Sequence, residues 1–227
     1  AMCRAQTSRY GRRASRPAKD RLPELEPEEA APAAALEGGE PDGRTDRFEA
    51  NLKNLGGEVI RCAEFEAADR IVGQLYVLGA SRLLSWGPVE PILFTVLQRL
   101  EREGFPVVQP EVPEGTRGTR AIRAFGEFPV GLTGAVAAFA DTGTLVLSGG
   151  SRRSLLPSLL PETHVAVVRS KDIYADLEGW LRAVGSPYVA GSSNLVLISG
   201  PSRTADIEMT LTVGVHGPRQ LIVFLIE

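Results

Sequence analysis

LLSWGPVEPILFTVLQRLEREGFPVVQ, residues 83–109, is the stretch whose reading decides the fold class. Leu83 to Trp86 is a short apolar run that reads as a buried strand. Pro91 then suits the first turn of a helix, where its missing amide hydrogen costs nothing. Ile92, Val96, Leu97 and Leu100 recur at helical spacing on one face, and Gly104 supplies the stop. Phe105 to Gln109 reads as a second strand. A strand, a helix and a strand in this order predict a parallel sheet with helices packed on it.

The pattern extends outward in both directions. Asp46 with Glu49 makes a capping pair, Phe48, Leu52 and Leu55 follow at helical spacing, and Gly56 ends that helix. Glu58 to Arg61 is a short strand. A second helix places Phe65, Ala68, Val72, Leu75 and Leu78 on one face and ends at Gly79. Downstream, Gly143 to Ser148, His164 to Val168 and Leu195 to Ser199 are β-type runs between turn residues. A helix is expected from about Asp172 to Val184. Met209, Leu211, Val213 and Val215 alternate with polar or small residues, the period of a strand with one covered face. Leu221 to Ile226 is uniformly apolar, as a strand buried on both faces would be. The expected fold class is therefore α/β, an open, mostly parallel sheet flanked by helices, with a late antiparallel element.

Composition narrows the function. The 227 residues carry 25 Lys+Arg against 28 Asp+Glu, a net charge of −3, which argues against a bulk electrostatic nucleic-acid binder. Two cysteines, Cys3 and Cys62, exclude a disulfide scaffold and a Cys-ligated cluster held by one chain. Two histidines leave little for a metal site, and no metal is expected. No continuous apolar run is long enough for a membrane span, so no membrane insertion is expected, and the setting that fits is cytoplasmic. Residues 1–43 differ from the rest: seven basic groups lie within residues 1–21 and seven acids within 24–42. Large apolar side chains are too few there to offset ordering entropy, so a flexible charged N-terminal tail is expected, followed by one α/β domain over residues 44–227.

Four segments could carry chemistry; the fourth, Ser148-Gly-Gly-Ser-Arg-Arg153, could bind an anion through its tandem glycines and arginines and reads equally as a mobile loop. In the first, Thr133, Gly134, Thr142, Gly143 and Thr144 surround Asp141. Hydroxyls and amides at such a turn can hold a phosphate or carboxylate, and Asp-Thr-Gly is equally a tight turn between strands. The second runs from Ser199 and Gly200 through Ser202, Arg203, Thr204, Asp206 and Glu208 after a strand. If Ser202 or Thr204 caps a short helix, free amides and Arg203 would favour an anion, with Asp206 and Glu208 as acid–base or hydroxyl-binding groups. In the third, His216 stands at a strand end before a Gly-Pro turn and could serve as a general base or ligand donor. No Walker A, dinucleotide fingerprint, His-Glu-x-x-His or Gly-x-Ser-x-Gly pattern occurs.

These residues also carry a resemblance. Thr133-Gly134 with Ala140-Asp-Thr-Gly-Thr-Leu-Val-Leu147 resembles the central motif of the LUD domain. Leu159 to Val168 resembles the strand that follows it in that family. Ile198 to Glu208, then Gly214-Val-His-Gly-Pro218, resembles the C-terminal signature of the lactate-utilization protein C (LutC) branch. The resemblance covers about residues 46–227. It implies a fold similar to the ribose-5-phosphate isomerase, glucosamine-6-phosphate deaminase and CoA-transferase group. It also implies an accessory role in oxidising L-lactate to pyruvate, beside iron–sulfur subunits that hold the clusters. This chain lacks the cysteines for one and is expected to bind no cofactor itself, but to bind a small anionic ligand and those partners. The alternative is a stand-alone enzyme acting on a phosphosugar or acyl-CoA-type anion, with Asp141 or Glu208 as base or nucleophile.

Overall fold

The structure is a computed structural model that describes residues 41–111, 116–150, 152–205, 211–213 and 217–227. Residues 1–40 of the expected tail therefore lie outside the described residues, as do Asp206, Glu208 and His216, whereas Pro41 to Gly43 are described and open a helix.

The centre is a six-stranded sheet in the order β1 (Glu58–Cys62), β12 (Gln220–Ile226), β7 (Thr163–Arg169), β4 (Val130–Gly134), β2 (Leu83–Ser85) and β3 (Val107–Val108). Every neighbouring pair in it is parallel. β12 lies between β1 and β7 and buries Leu221 through Ile226, so its unbroken apolar run follows from having no solvent face. α1 (Pro41–Asn54), α2 (Glu64–Val77), α3 (Pro91–Arg102) and α4 (Thr116–Phe125) connect or flank these strands. α3 buries Ile92, Leu93, Val96 and Leu100, starts at Pro91 and stops at Gly104, whose φ of 67° suits a residue without a Cβ.

A second, mixed sheet follows from a switch of partner. Ala135 N–H still bonds Val167 of β7, whereas Val136 N–H bonds Val146 of β6 (Thr144–Gly149). The chain thus leaves one sheet for the other between residues 135 and 136. The mixed sheet has the order β8 (Ile173–Tyr174), β5 (Ala137–Phe139), β6 and β9 (Asn194–Ile198), with β6 antiparallel to both neighbours. β10 (Arg203–Ala205) pairs antiparallel with β11 (Leu211–Val213). The α/β class and the late antiparallel element both hold.

Local expectations differ in four places. The first helix starts at Pro41, so Asp46 lies inside α1 and its carboxylate, like that of Glu49, pairs with Arg61 instead of capping the helix. Ser202 and Thr204 cap no helix: the backbone there turns into β10, with Thr204 opposite Thr212. The partner strand β11 supplies backbone bonds that a lone helical turn would lack. The helix expected from Asp172 begins later, because Ile173 is taken into the mixed sheet opposite Ala138. Asp176 is the true cap, accepting a bond from Gly179 N–H at 2.7 Å, and α5 (Leu177–Trp180) passes through a π turn into α6 (Ser186–Gly191). Phe65 is 83% exposed; α2 instead buries Ala67, Ile71, Val72 and Leu75.

Candidate functional site

The sequence-predicted residues gather mainly near the amino ends of β7 and β12. His164, one residue into β7, is fully buried with Nε2 2.8 Å from Thr133 Oγ1. Burial pushes its pKa down to about 3, so the ring is neutral at physiological pH. Beside it, a cavity of about 250 Å3 is lined by His164, Leu197, Ser199, Gly200, Ser202 and Leu221, among others.

The Asp141–Thr144 turn joins β5 to β6 and is built into the scaffold. Gly143 has φ 63°, and a Cβ there would lie 2.4 Å from the Leu52 nitrogen of α1. The Asn51 side-chain amide donates to the carbonyls of Ala140 and Asp141 at 2.8 and 2.9 Å. The turn's hydroxyls form a chain: Thr142 donates to Asp141 Oδ1 (3.0 Å), Thr144 donates to Thr142 (2.8 Å), and Thr144 meets Ser199 Oγ at 2.7 Å. With the Thr144 hydrogen already used, Ser199 must be the donor in that last bond. Its hydroxyl then offers only lone pairs to the cavity, an arrangement that suits a donor and not an anion. Arg203 donates to the Leu55 carbonyl and does not line the cavity. The structure thus joins Thr133, Thr142, Thr144, Ser199, Gly200 and Ser202 to one region and places Gly134 elsewhere.

Gly134 belongs to a second region, which the sequence reading touched only at Gly134 and at the loop from Ser148 to Arg153, without joining them. After β2 the chain runs through α3 to β3; after β4 it turns the other way, toward β7. β2 and β4 are neighbours, so a topological switch point lies between their carboxyl ends, where open α/β sheets usually bind ligands. Ser85 ends β2 with no exposed surface, and its Oγ has no hydrogen-bond partner among the described residues. Gly134 ends β4, and a Cβ there would lie 2.5 Å from the Glu90 carboxylate. Only glycine leaves Glu90 this place.

Glu90 is half-buried just before α3. Burial raises its pKa to about 7, while Arg153 and Arg169 oppose the rise and Asp172 adds to it. Burial also pushes Asp172, Tyr174 and Tyr188 up, and Tyr188 senses Arg153, Asp172 and Glu90 together. Arg153 has a buried Nε with no partner among the described residues, and its guanidinium lies 6.0 Å from the Trp86 ring centre. Trp86 Nε1 donates to the Ser154 carbonyl at 2.7 Å, and Gly87 N–H to the Arg152 carbonyl at 2.9 Å, which fixes the arginine loop over β2. Arg152 itself adopts φ 59°, unfavourable for a residue with a Cβ. A cavity of about 500 Å3 opens here, lined by Ser85, Gln109, Glu111, Gly150, Arg152 and Ser154, among others. The available signal was Glu90 between two prolines after a strand; the adjacency of β2 and β4 was not available.

Among the described residues no group of three or more His, Cys, Asp or Glu side chains could hold a metal ion, and no helix is long and apolar enough to cross a membrane. Cys62 is buried and unpaired, its thiol pushed up by burial.

The chain is similar to proteins of one family. Lactate utilization protein C of Halalkalibacterium halodurans is 31% identical over 151 residues, 65% of this chain and 64% of that protein. Lactate utilization protein C of Deinococcus radiodurans is 39% identical over 98 residues, 42% of this chain and 45% of that one. An uncharacterized protein of Neisseria meningitidis serogroup B is 34% identical over 102 residues, 45% of this chain and 44% of that protein. The chain thus spans about half the length of the curated relatives it matches. A crystal structure of a DUF162 family protein from Deinococcus radiodurans shares the fold, with a TM-score of 0.62 and 22% identity over 84% of this chain and 100% of that one. The family model for the LUD domain matches residues 45–226, so the chain belongs to the LUD domain family.

Proposed function

We propose that this chain serves L-lactate utilization as an accessory subunit of the system that oxidises lactate to pyruvate. It binds a small anionic ligand and iron–sulfur partner proteins, which hold the clusters, and it works in the cytoplasm. The observation that carries this reading is the LUD-domain match together with relatives named lactate utilization protein C. Two cysteines in the whole chain are too few for a four-cysteine cluster, which supports placing the clusters on partners. The segment from Ser199 to Glu208 is the part assigned to the partner proteins, with Thr133, Thr142 and Thr144 behind it, since Ser199 offers an anion no free hydrogen. Leu197, 52% exposed at the rim of the Ser199 cavity, gives that face apolar area for a protein contact.

The test is L-lactate-dependent oxygen uptake in a strain deleted for this gene and carrying no second copy. Deletion abolishes uptake, and wild type restores it. A Ser202→Ala/Glu208→Gln variant that accumulates to wild-type level does not. Unchanged uptake on deletion overturns the lactate role.

A further inference from the structure

We propose that the cleft between the carboxyl ends of β2 and β4 binds a small organic monocarboxylate, held by Arg153, Ser85 and the Glu90 carboxyl group. The inference deepens the function proposed above and rests on it only for the choice of L-lactate and pyruvate as probes.

Three independent observations meet at this place. The topology puts the sheet's switch point there. A cavity of about 500 Å3, the size of an ordinary metabolite site, opens there. A buried polar group that lines it, Ser85 Oγ, and another in the adjoining loop between Arg152 and Ser154, Arg153 Nε, have no partner among the described residues. Buried donors are nearly always paired in folded proteins, so two unpaired donors beside one cavity mark the position of a ligand acceptor.

Charge selects the ligand class. The ionisable groups facing Glu90 are Arg153 from the loop after β6, Arg169 at the end of β7, Asp172 just beyond it and Tyr188 on α6. Arg152 and Glu111 line the cavity. Arg169 is paired with Glu64 at 3.1 Å and Lys171 acts on Asp172; with Glu90 protonated, Arg152, Arg153, Arg169 and Lys171 stand against Glu64, Glu111 and Asp172, an excess of one positive charge. A monoanion cancels it; a dianion overshoots and faces two carboxylates. A carboxylate takes one bond from a guanidinium edge, a second from Ser85 and a third from the protonated Glu90. Because the ligand's charge disfavours ionised Glu90, binding takes up a proton as the pH rises through the pKa of the free protein.

Isothermal titration calorimetry of the full chain tests this, from about pH 6 to about pH 8 in buffers of unequal ionisation heat. The probes are L-lactate, pyruvate and longer 2-hydroxy monocarboxylates, with succinate and inorganic phosphate as comparators. A monocarboxylate is expected to bind more tightly than either comparator. Its affinity should fall by about tenfold per pH unit above the Glu90 transition, with uptake approaching one proton. Glu90→Gln, which mimics the protonated acid, should keep binding and lose both the pH dependence and the proton uptake. Ser85→Ala and Arg153→Lys should each weaken binding by about tenfold or more, with no loss of stability in the protein without ligand. Absence of monocarboxylate binding, tighter phosphate binding, or unaltered pH dependence in Glu90→Gln overturns the site. Lost oxygen uptake on deletion without carboxylate binding would leave the lactate role standing and remove this site. Carboxylate binding with unchanged uptake would do the reverse.

Discussion

The two cavities lie at opposite ends of one parallel sheet and treat their polar groups in opposite ways. At the amino ends of β7 and β12, His164 is paired with Thr133, and the hydroxyls of Thr142, Thr144 and Ser199 satisfy one another in a chain ending on Asp141. At the carboxyl ends of β2 and β4, Ser85 Oγ and Arg153 Nε are buried without partners, and Glu90 is driven toward neutrality. Hydroxyl-rich sequence marks the first region, yet its hydroxyls are largely consumed by the protein itself. The second region is sparse in sequence and rich in unused bonding capacity. The lesson is that unpaired buried groups, more than dense polar motifs, indicate where a ligand completes a site.

The largest expected effect breaks the strand that serves both regions. A Cβ at Gly131 of β4 would stand 1.8 Å from the Pro157 carbonyl oxygen, and neither backbone can yield without disturbing the sheet. Gly131→Ala should cost about 3 kcal/mol or more in urea unfolding. Gly134→Ala, three residues on, meets the Glu90 side chain first, with its carboxylate 2.5 Å from the new Cβ. It should cost about 1 kcal/mol while displacing Glu90 and weakening carboxylate binding. Equal destabilisation by the two would mean that Glu90 is as rigidly held as backbone. Next in size, Thr133→Val leaves His164 Nε2 buried without its partner and should cost about 2 kcal/mol.

These predictions show which parts were legible in the sequence. The apolar runs of β12 and β7 and the Pro91-to-Gly104 helix were readable because burial on both faces or on one helical stripe leaves a periodic record. β4 was not read as a strand, because Gly131 and Gly134 dilute its apolar pattern; their reasons, Pro157 and Glu90, are tertiary neighbours. The Ser202–Thr204 cap failed because a distant strand, β11, outweighed the local preference for a turn. Thr133, Thr144 and Ser199 were found as a polar group, but the direction of their hydrogen bonds is set by contacts 31 and 55 residues apart. Arg153 was named within a Gly-Gly-Ser-Arg-Arg loop that could bind an anion, but Glu90 and Ser85 escaped because their meeting with it depends on strand order alone.

A titration of stability sharpens the comparison further. His164 has a folded pKa below its unfolded value near 6.5, so its contribution is complete above pH 6.5 and is lost as pH falls toward 3. Glu90 has a folded pKa above its unfolded value near 4.5, so its contribution is complete below pH 4.5 and is lost as pH rises through 7. Between pH 4.5 and 6.5 the two slopes oppose one another. Glu90→Gln should therefore make unfolding free energy rise more steeply with pH in that window, by up to about 1.4 kcal/mol per pH unit. His164→Gln should tilt it the other way. Parallel curves for wild type and Glu90→Gln would show that Glu90 titrates alike in the folded and unfolded chain.

The smallest effect is the most discriminating, since the comparison predicts opposite signs for the same chemical change. Ser199→Ala removes the donor that feeds Thr144 and should destabilise by about 0.5–1 kcal/mol, limited because Ser199 is exposed. Ser85→Ala removes a fully buried hydroxyl with no partner among the described residues, relieving a desolvation cost that nothing in the folded chain offsets. It should raise stability by about 0.5–1 kcal/mol in matched urea titrations without ligand. A gain in stability joined to a loss of carboxylate affinity is the signature of a group kept for its ligand. A loss of stability at Ser85 would instead make it a structural hydroxyl like those at the other end of the sheet.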